Sequence, residues 1–479
     1  MNGALATSAG RPDAPTVRDH TRRYLARVAT GEMGALPALT GLVLFSAVFA
    51  LLRPSFLSAS NLANLFTQGA AVVVIAMGLV FVMLLGEIDL SAGYTSGVCG
   101  AVLAVLAAHG RLPWYAAAAL ALLVAVAIGL GLGLLVTRTK VPSFVVTLAG
   151  LLGLQGVALL LIGDSTTVTL DDGTLLSIAN GTVAPELAWL MWAGGLAAYV
   201  MIEFRRKRKG LHHRRTADPL VLVVWRVLVA AVLSAAIVYL LNQERSPHPD
   251  IASLKGVPIV VPIIAVMIML WTFVLRRTAY GRRIYMVGQS REVARQAGVN
   301  VDRIRVSVFV ICSCMAAVGG VIAVSRAHSV DADTGGVNVL LYAVAAVVFG
   351  GTSLFGGKGR VLDAVLGGAL MAVIDNGMGL MGYSAGLKYI VTCALLLLAA
   401  CLDVVSRTRE AAAAAVPPLP PGVAFVPAAR PPAGPPAGPP SGPPARPTGH
   451  PPTGHPPTWP AGRTDPGPRH GPGAGTGWR

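Results

Sequence analysis

Residues 114–136 read WYAAAALALLVAVAIGLGLGLLV, an unbroken stretch without a single charge. A transmembrane helix needs about 20 mostly apolar residues, so this stretch reads as a membrane span. Outward from it, runs of the same kind lie at 36–52, 70–85, 95–108, 143–162, 187–204, 220–241, 257–275, 306–325, 339–350, 361–380 and 387–402, which makes twelve candidates. The third and tenth in chain order, 95–108 and 339–350, are short and flanked by glycine. Each reads as a half-helix or re-entrant piece whose free backbone groups must be buried in protein. The composition agrees: 54% of the 479 residues are hydrophobic and 13% charged, against about 25% charged in an ordinary soluble domain. The fold class is therefore all-α, a polytopic integral membrane protein with 10 to 12 transmembrane helices.

Lys and Arg test this reading independently, because they crowd the cytoplasmic loops of membrane proteins. With the N-terminus inside, the inner segments up to Arg360 hold 25 of them, and the outer loops hold only Arg53, Arg111, Arg245, Lys255, Arg326 and Lys388. Both termini are thus expected in the cytoplasm. The net charge of +16 does not point to nucleic acid, since the basic residues sit between apolar runs. The first run passes into Arg53-Pro54 without a small-residue cleavage site and reads as a retained span. Three regions result: a cytoplasmic N-terminal segment (1–35), a transmembrane domain (36–406) with a cytoplasmic loop at 276–305, and a Pro/Gly-rich cytoplasmic tail (407–479). The tail has repeats such as PPAGPPAG at 431–438 and too little apolar surface to fold, so disorder is expected there. Its His450, His455 and His470 read as solvated spacers. Cys99, Cys312, Cys314, Cys393 and Cys401 all lie in apolar runs, without the spacing of a disulfide framework or zinc site, and read as small packing residues. No cofactor or metal is expected.

The chain carries no energy source of its own. Gly351 to Gly359 is the nearest approach to a phosphate loop, but Lys358 is followed by Gly359 where a magnesium-binding hydroxyl is needed. No metalloprotease or nucleophile-elbow motif occurs, so an enzyme lacks support. Two stretches stand out instead. Gly86-Glu87-Ile88-Asp89-Leu90-Ser91 places two acids and a hydroxyl between apolar runs. Acids at membrane depth are functional candidates, although Asp89 can equally cap the helix that follows. In the loop 276–305, Ser290 can cap a short helix, Glu292 can stabilise its first turn and Gly298 can end it. Such an exposed helix has the shape to dock into a groove on a partner.

At these two stretches the chain resembles the permease subunits of bacterial ATP-binding-cassette importers for monosaccharides, the ribose, arabinose and xylose group. Glu292-Val293-Ala294-x-x-x-Gly298 is similar to the family's E-A-A-x-x-x-G coupling loop, and Gly86 to Ser91 to its G-G-I-D-L-S, with Glu87 where the family has Gly. Val141 to Leu148, Phe349 to Gly357 and Asn376-Gly377 match further, over about residues 56–402. The extra pair of runs at 187–241 around a basic loop resembles the xylose-type permeases. The resemblance implies a plasma-membrane transport subunit that is not itself an enzyme. Its implied partners are a cytoplasmic ATPase, an extracytoplasmic sugar-binding protein, a second permease copy and membrane lipid. It further implies a coupling loop built on Gly281, Arg282, Gly288, Glu292, Ala294 and Gly298. A neutral sugar needs a weakly polar route, for which Asp89, Ser91, Tyr94, Thr147, Gln155 and Asn376 are the candidates. Asn376 is expected to face that route because an amide in an apolar span needs a partner. A rival reading is an ion-coupled secondary transporter with Asp89 or Asp375 as its coupling acid. It lacks the basic signature expected after the second span.

Overall fold

A computed structural model describes residues 34–108, 111–163, 167–212, 220–246 and 253–415. The expected N-terminal segment and tail lie outside these residues, apart from 34–35 and 407–415. All twelve apolar runs form helices: α1 (Leu36–Leu52), α2 (Ala59–Leu84), α3 (Ala92–Ala107), α4 (Trp114–Thr139) and α5 (Ser143–Ile162) come first. A short strand β1 (Thr167–Thr169), the helix α6 (Gly173–Asn180) and the strand β2 (Thr182–Val183) lead into α7 (Pro185–His212) and α8 (Leu220–Leu241). Then follow β3 (Val257–Pro258), α9 (Val260–Arg277), α10 (Ala279–Gln289), α11 (Arg291–Gln296) and α12 (Val301–Ala327). The described chain closes with β4 (Ser329–Asp331), α13 (Val337–Phe349), α14 (Val361–Leu380) and α15 (Ala385–Ala415). Among the described residues, nine helices are long and apolar enough to cross a membrane, while α1, α3 and α13 are shorter.

Several boundaries differ from expectation, and two of them do so for evident local reasons. The helix α2 starts eleven residues before the apolar run, because Ser58 accepts a hydrogen bond from the Asn61 N–H and nucleates a polar first part. At the other end, α15 runs through Ala411–Ala415, past the boundary expected at 406, because five alanines continue a helix at the lowest propensity cost. Of the five cysteines, Cys99 and Cys312 are buried as expected of packing residues, whereas Cys393 and Cys401 are exposed on α15.

Helices α2, α12 and α14 form the buried centre, with α12 packed on α4, α2 and α3 and α14 packed on α2, α13 and α1. With lipid outside, helices associate through close packing of small residues more than through a hydrophobic drive. The α4–α12 seam uses Gly129 and Gly133, one turn apart. A Cβ added there would stand 2.6 Å from the Val310 Cα and 2.8 Å from the Val306 Cα. Elsewhere Phe81 of α2 meets Trp271 of α9 edge to face at 4.9 Å. The α7–α8 hairpin sits at the periphery, joined to the rest chiefly through α8 and α2.

The connecting segments gather on two faces. On one, β1 pairs with β4 and β2 with β3, tying together the α5–α7, α8–α9 and α12–α13 connections. Ser325 fastens α6 to the end of α12, accepting from the Ala179 N–H and donating to the Leu175 carbonyl. In the α8–α9 connection the Ser246 N–H, the Ser253 hydroxyl and the Leu254 N–H pull the Glu244 carboxyl down to about 2, so that turn is held wherever the carboxylate is ionised. The opposite face carries α10, α11 and the α2–α3 and α13–α14 connections.

The α4–α12 seam gives a direct test. Gly133→Val must displace the α12 backbone, and overpacking of this kind costs about 1–3 kcal/mol. Its melting temperature in detergent is expected to fall clearly, while Gly131→Val, where nothing lies within 4 Å, stays near wild type.

Candidate translocation and coupling site

The loop Gly86–Ser91 links the coupling face to the interior. Gly86 turns out of α2 with φ +68°, and by Ser91 the chain lies against Gly150, the eighth residue of α5, or about 10 Å from that helix's first residue at 1.5 Å per residue. Only there does α3 begin. Asp89, 1% exposed, organises this start: its Oδ1 accepts from the Ser91 N–H at 2.9 Å and from the Ser91 hydroxyl at 2.5 Å. Asp89 therefore does the loop-structuring work that the sequence left open beside substrate contact. The second short helix, α13, starts at the same place from the other direction, since a Cβ on Gly93 would stand within 3 Å of the Gly335 and Gly336 carbonyls. The buried start of α3 thus meets the turn that leads into α13.

Five of the six expected path residues come together here. Thr147 of α5 donates to the Ser143 and Ile88 carbonyls, Ser143 accepts from the Ile88 N–H, and Tyr94 of α3 is paired with Gln155 of α5. Asp89, Ser91, Tyr94 and Thr147 are buried, and Gln155 is half-buried. The α3–α5 seam is thus closed, with Ser91, Thr147 and Tyr94 partnered across or beside it, while Asp89 Oδ2 and the Thr95 hydroxyl are buried without a hydrogen-bond partner among the described residues.

Asn376 departs from expectation. It lies away from that seam, paired reciprocally with Asn61 at 2.9 and 3.0 Å and donating to Gln68 Oε1 at 3.3 Å. The need for a partner is met inside the protein, so the reason for placing Asn376 on the route falls away. The network continues through Gln68 to Asp375 and from Asp375 to Lys388 at 2.9 Å, joining α2, α14 and α15. Its members Asn61 and Gln68 lie in the part of α2 that sequence reading left outside the span; three amides in twenty residues (Asn61, Asn64, Gln68) were the available signal.

On the coupling face, Ser290 caps α11 through the Val293 N–H, as the sequence led one to expect, and Thr278, which the sequence reading did not single out, caps α10 through the Gly281 N–H. Glu292 lies in the first turn of α11, Ala294 is buried, and Arg282 is exposed. Gly281 packs on the Leu275 carbonyl. Gly288 faces α2 so closely that a Cβ would stand 2.0 Å from the Leu84 carbonyl oxygen, which itself accepts from the Gly357 N–H. Gly298 has open space around it and φ +77°, so within this chain its glycine serves to end α11 in the left-handed region. Burial raises the Tyr280 and Tyr285 hydroxyls above their ordinary range. Tyr285 thus stays a donor, to the Gly359 carbonyl at 2.8 Å.

One contact joins these parts. Glu87, 4% exposed, binds Arg291 of α11 and Arg305 of α12, each at 2.7 Å. The residue that departs from the family's glycine is a buried clasp between the α2–α3 loop and the coupling segment, and its two arginines escaped sequence reading because they lie over 200 positions away. A polar cavity of about 550 Å³ opens beside it, lined by Glu87, Lys140, Ser143, Arg295, Asp302 and neighbours.

A family model described as branched-chain amino acid transport system, permease component, matches residues 61–400. The chain belongs to this permease family. It is 35% identical to the xylose transport system permease protein XylH of Escherichia coli K12, over 74% of this chain and 88% of that protein. XylH of Haemophilus influenzae is 31% identical over 74% and 92%, and the ribose import permease protein RbsC of E. coli K12 is 28% identical over 80% and 96%. No solved structure matches the chain. The chain is accordingly a membrane transport subunit and not an enzyme, and an ion-coupled carrier is not favoured.

Removing one partner of a buried ion pair costs about 3–5 kcal/mol, and an exposed pair less than about 1. The Arg305 side chain is 13% exposed and that of Arg291 42%. Arg305→Met is therefore expected to lower the unfolding temperature more than Arg291→Met, and Glu87→Gln with Arg305→Met should recover part of the loss in a double-mutant cycle. Asn376→Leu strands Asn61 and Gln68, at about 1–3 kcal/mol for each unsatisfied group. A drop in thermal stability is expected, and wild-type stability would show that the amide network is not closed.

Proposed function

We propose that the chain is the permease of an ATP-driven importer for a pentose, xylose above all, and that two copies of it form the translocation pore. The observation that carries the reading is the Glu87 clasp. It fastens Arg291, in the segment similar to a coupling loop, to the loop whose far end builds the α3–α5 seam. A separate ATPase docks on α10 and α11 through Arg282 and Glu292, with Ala294 buried beneath α11 against the rest of the chain, and its movement reaches the interior through Glu87 and through the Gly288–Leu84 contact. The sugar follows the seam marked by Ser91, Tyr94, Thr147 and Gln155, which opens when α5 moves. Gln155 then offers hydrogen bonds to a hydroxylated, neutral passenger without holding it tightly.

The coupling face is the cytoplasmic one, because the segments on it carry the Lys and Arg excess, and the strand-bearing face receives the sugar-loaded binding protein. The termini are cytoplasmic, α1, α3 and α13 complete twelve membrane-embedded segments, and residues 36–415 form the permease domain. The relatives named for xylose are 35% and 31% identical to this chain against 28% for the ribose permease of E. coli, which supports xylose over ribose.

Vesicles holding this chain, its ATPase and its binding protein are expected to take up xylose only with ATP inside, and to continue when an uncoupler is added at constant ATP. Collapse with the uncoupler would refute the reading. Arg291→Ala should reduce sugar-stimulated ATP hydrolysis severalfold while the binding protein's sugar affinity stays the same. Unchanged stimulation would remove the clasp from the coupling path.

A further inference from the structure

A second, larger cavity lies on the coupling face, away from the α3–α5 seam and the Glu87 clasp. Its volume is about 1500 Å³, and it runs between α1, α9, α10, α14 and α15, above the ~300–1,000 Å³ usual for small-molecule pockets. Its rim holds Arg276, Arg277, Arg282, Lys358, Arg360 and Arg407 against only two carboxylates, Asp363 and Asp403. Leaving Lys358 aside, the five arginines outnumber these two carboxylates by three. Its walls are apolar: Leu39, Met269, Phe273 and Leu362 line it and are exposed.

The two halves of the cavity differ in position as well as in polarity. Arg276 and Arg277 stand in the last turn of α9 and Arg360 at the N-cap of α14, so the charges sit where helices leave the membrane. Phe273 and Met269 stand about one and two turns deeper on α9. A charged rim at headgroup level over an apolar wall at acyl-chain level is complementary to one molecule available in every membrane. We propose that this groove binds an anionic phospholipid, its phosphate held by the arginine rim and its acyl chains laid along α9 and α14. Arginine suits this role because its planar donors match phosphate oxygens in pairs, and basic pockets between membrane helices favour anionic headgroups over zwitterionic ones.

Other occupants fit less well. Residues 1–33 and 416–479 each carry more arginines than carboxylates, so neither segment complements a basic rim. The position of the groove gives the lipid a consequence. It would brace the α9–α10 junction, directly before the coupling segment, against α14 and α15. This inference does not depend on which sugar is carried, and its test uses no transport.

The full chain is placed in nanodiscs of equal parts phosphatidylglycerol and phosphatidylcholine with the same acyl chains, then released for native mass spectrometry. A phosphatidylglycerol with a photoactivatable acyl chain maps the contact in parallel. Retention of phosphatidylglycerol over phosphatidylcholine is expected, with labels on peptides containing Met269, Phe273 or Leu362. Retention should weaken by about fivefold for each arginine removed in Arg277→Gln and in Arg276→Gln with Arg277→Gln. Arg303→Gln, on the same face outside the groove, should change nothing. Equal retention of the two lipids, or labels elsewhere, would overturn the proposal. Displacement of the label by inorganic phosphate alone would make the groove a free-anion site, and displacement by the ATPase would make it a protein interface; either overturns it. If the double variant fails to reach the membrane, the wild-type labelling pattern decides alone.

Discussion

A helix that begins inside a bundle leaves its first N–H groups without partners and without water to supply them. The start of α3 is such a place, and the architecture around it is organised by that constraint. Asp89 takes the Ser91 N–H and hydroxyl, α5 closes over the loop through Ser143 and Thr147, and the glycines at 335 and 336 bring α13 against the same point. A loop that enters the membrane is affordable only when protein surrounds it on every side. This accounts for the burial of α2 and α12 on either flank, and for the closed state of the α3–α5 seam.

The same constraint connects structure to proposed function. Because Gly86–Ser91 is short and clamped at both ends, a displacement at Glu87 has few ways to dissipate before it reaches Ser91. A glycine at position 87 would leave that end held by backbone contacts alone. In this chain two arginines grip a buried carboxylate, one from the exposed coupling segment and one from the buried α12. The exposed arm can follow a partner while the buried arm keeps the loop anchored. The charge on this face has a different use in the larger cavity, where arginines at helix ends stand above apolar walls and so fit the surrounding lipid.

Much of this was legible in the residues. Four helices, α1, α5, α8 and α14, coincide with the apolar runs read from the chain, because apolar length is a local property. Ser290 and Gly298 act through bonds within four residues of themselves, so α11's cap and end could be read directly, and the short lengths of α3 and α13 followed from their glycine flanks. The motifs near Gly86 and Glu292 sufficed to place the chain in its family.

The tertiary structure decided which polar groups meet. Nothing near Glu87 in sequence names Arg291 or Arg305, and nothing near Asn376 names Asn61, 315 positions away. An unpaired amide and a paired one look alike in sequence, so Asn376 read as a pathway residue until its partners were in view. The cavity between α9 and α14 is likewise invisible in the chain, where its six cations are spread from Arg276 to Arg407 and look like ordinary loop charges. Hydropathy and capping depend on neighbours along the chain, whereas the pairing of buried charges and amides depends on how helices far apart in sequence are packed.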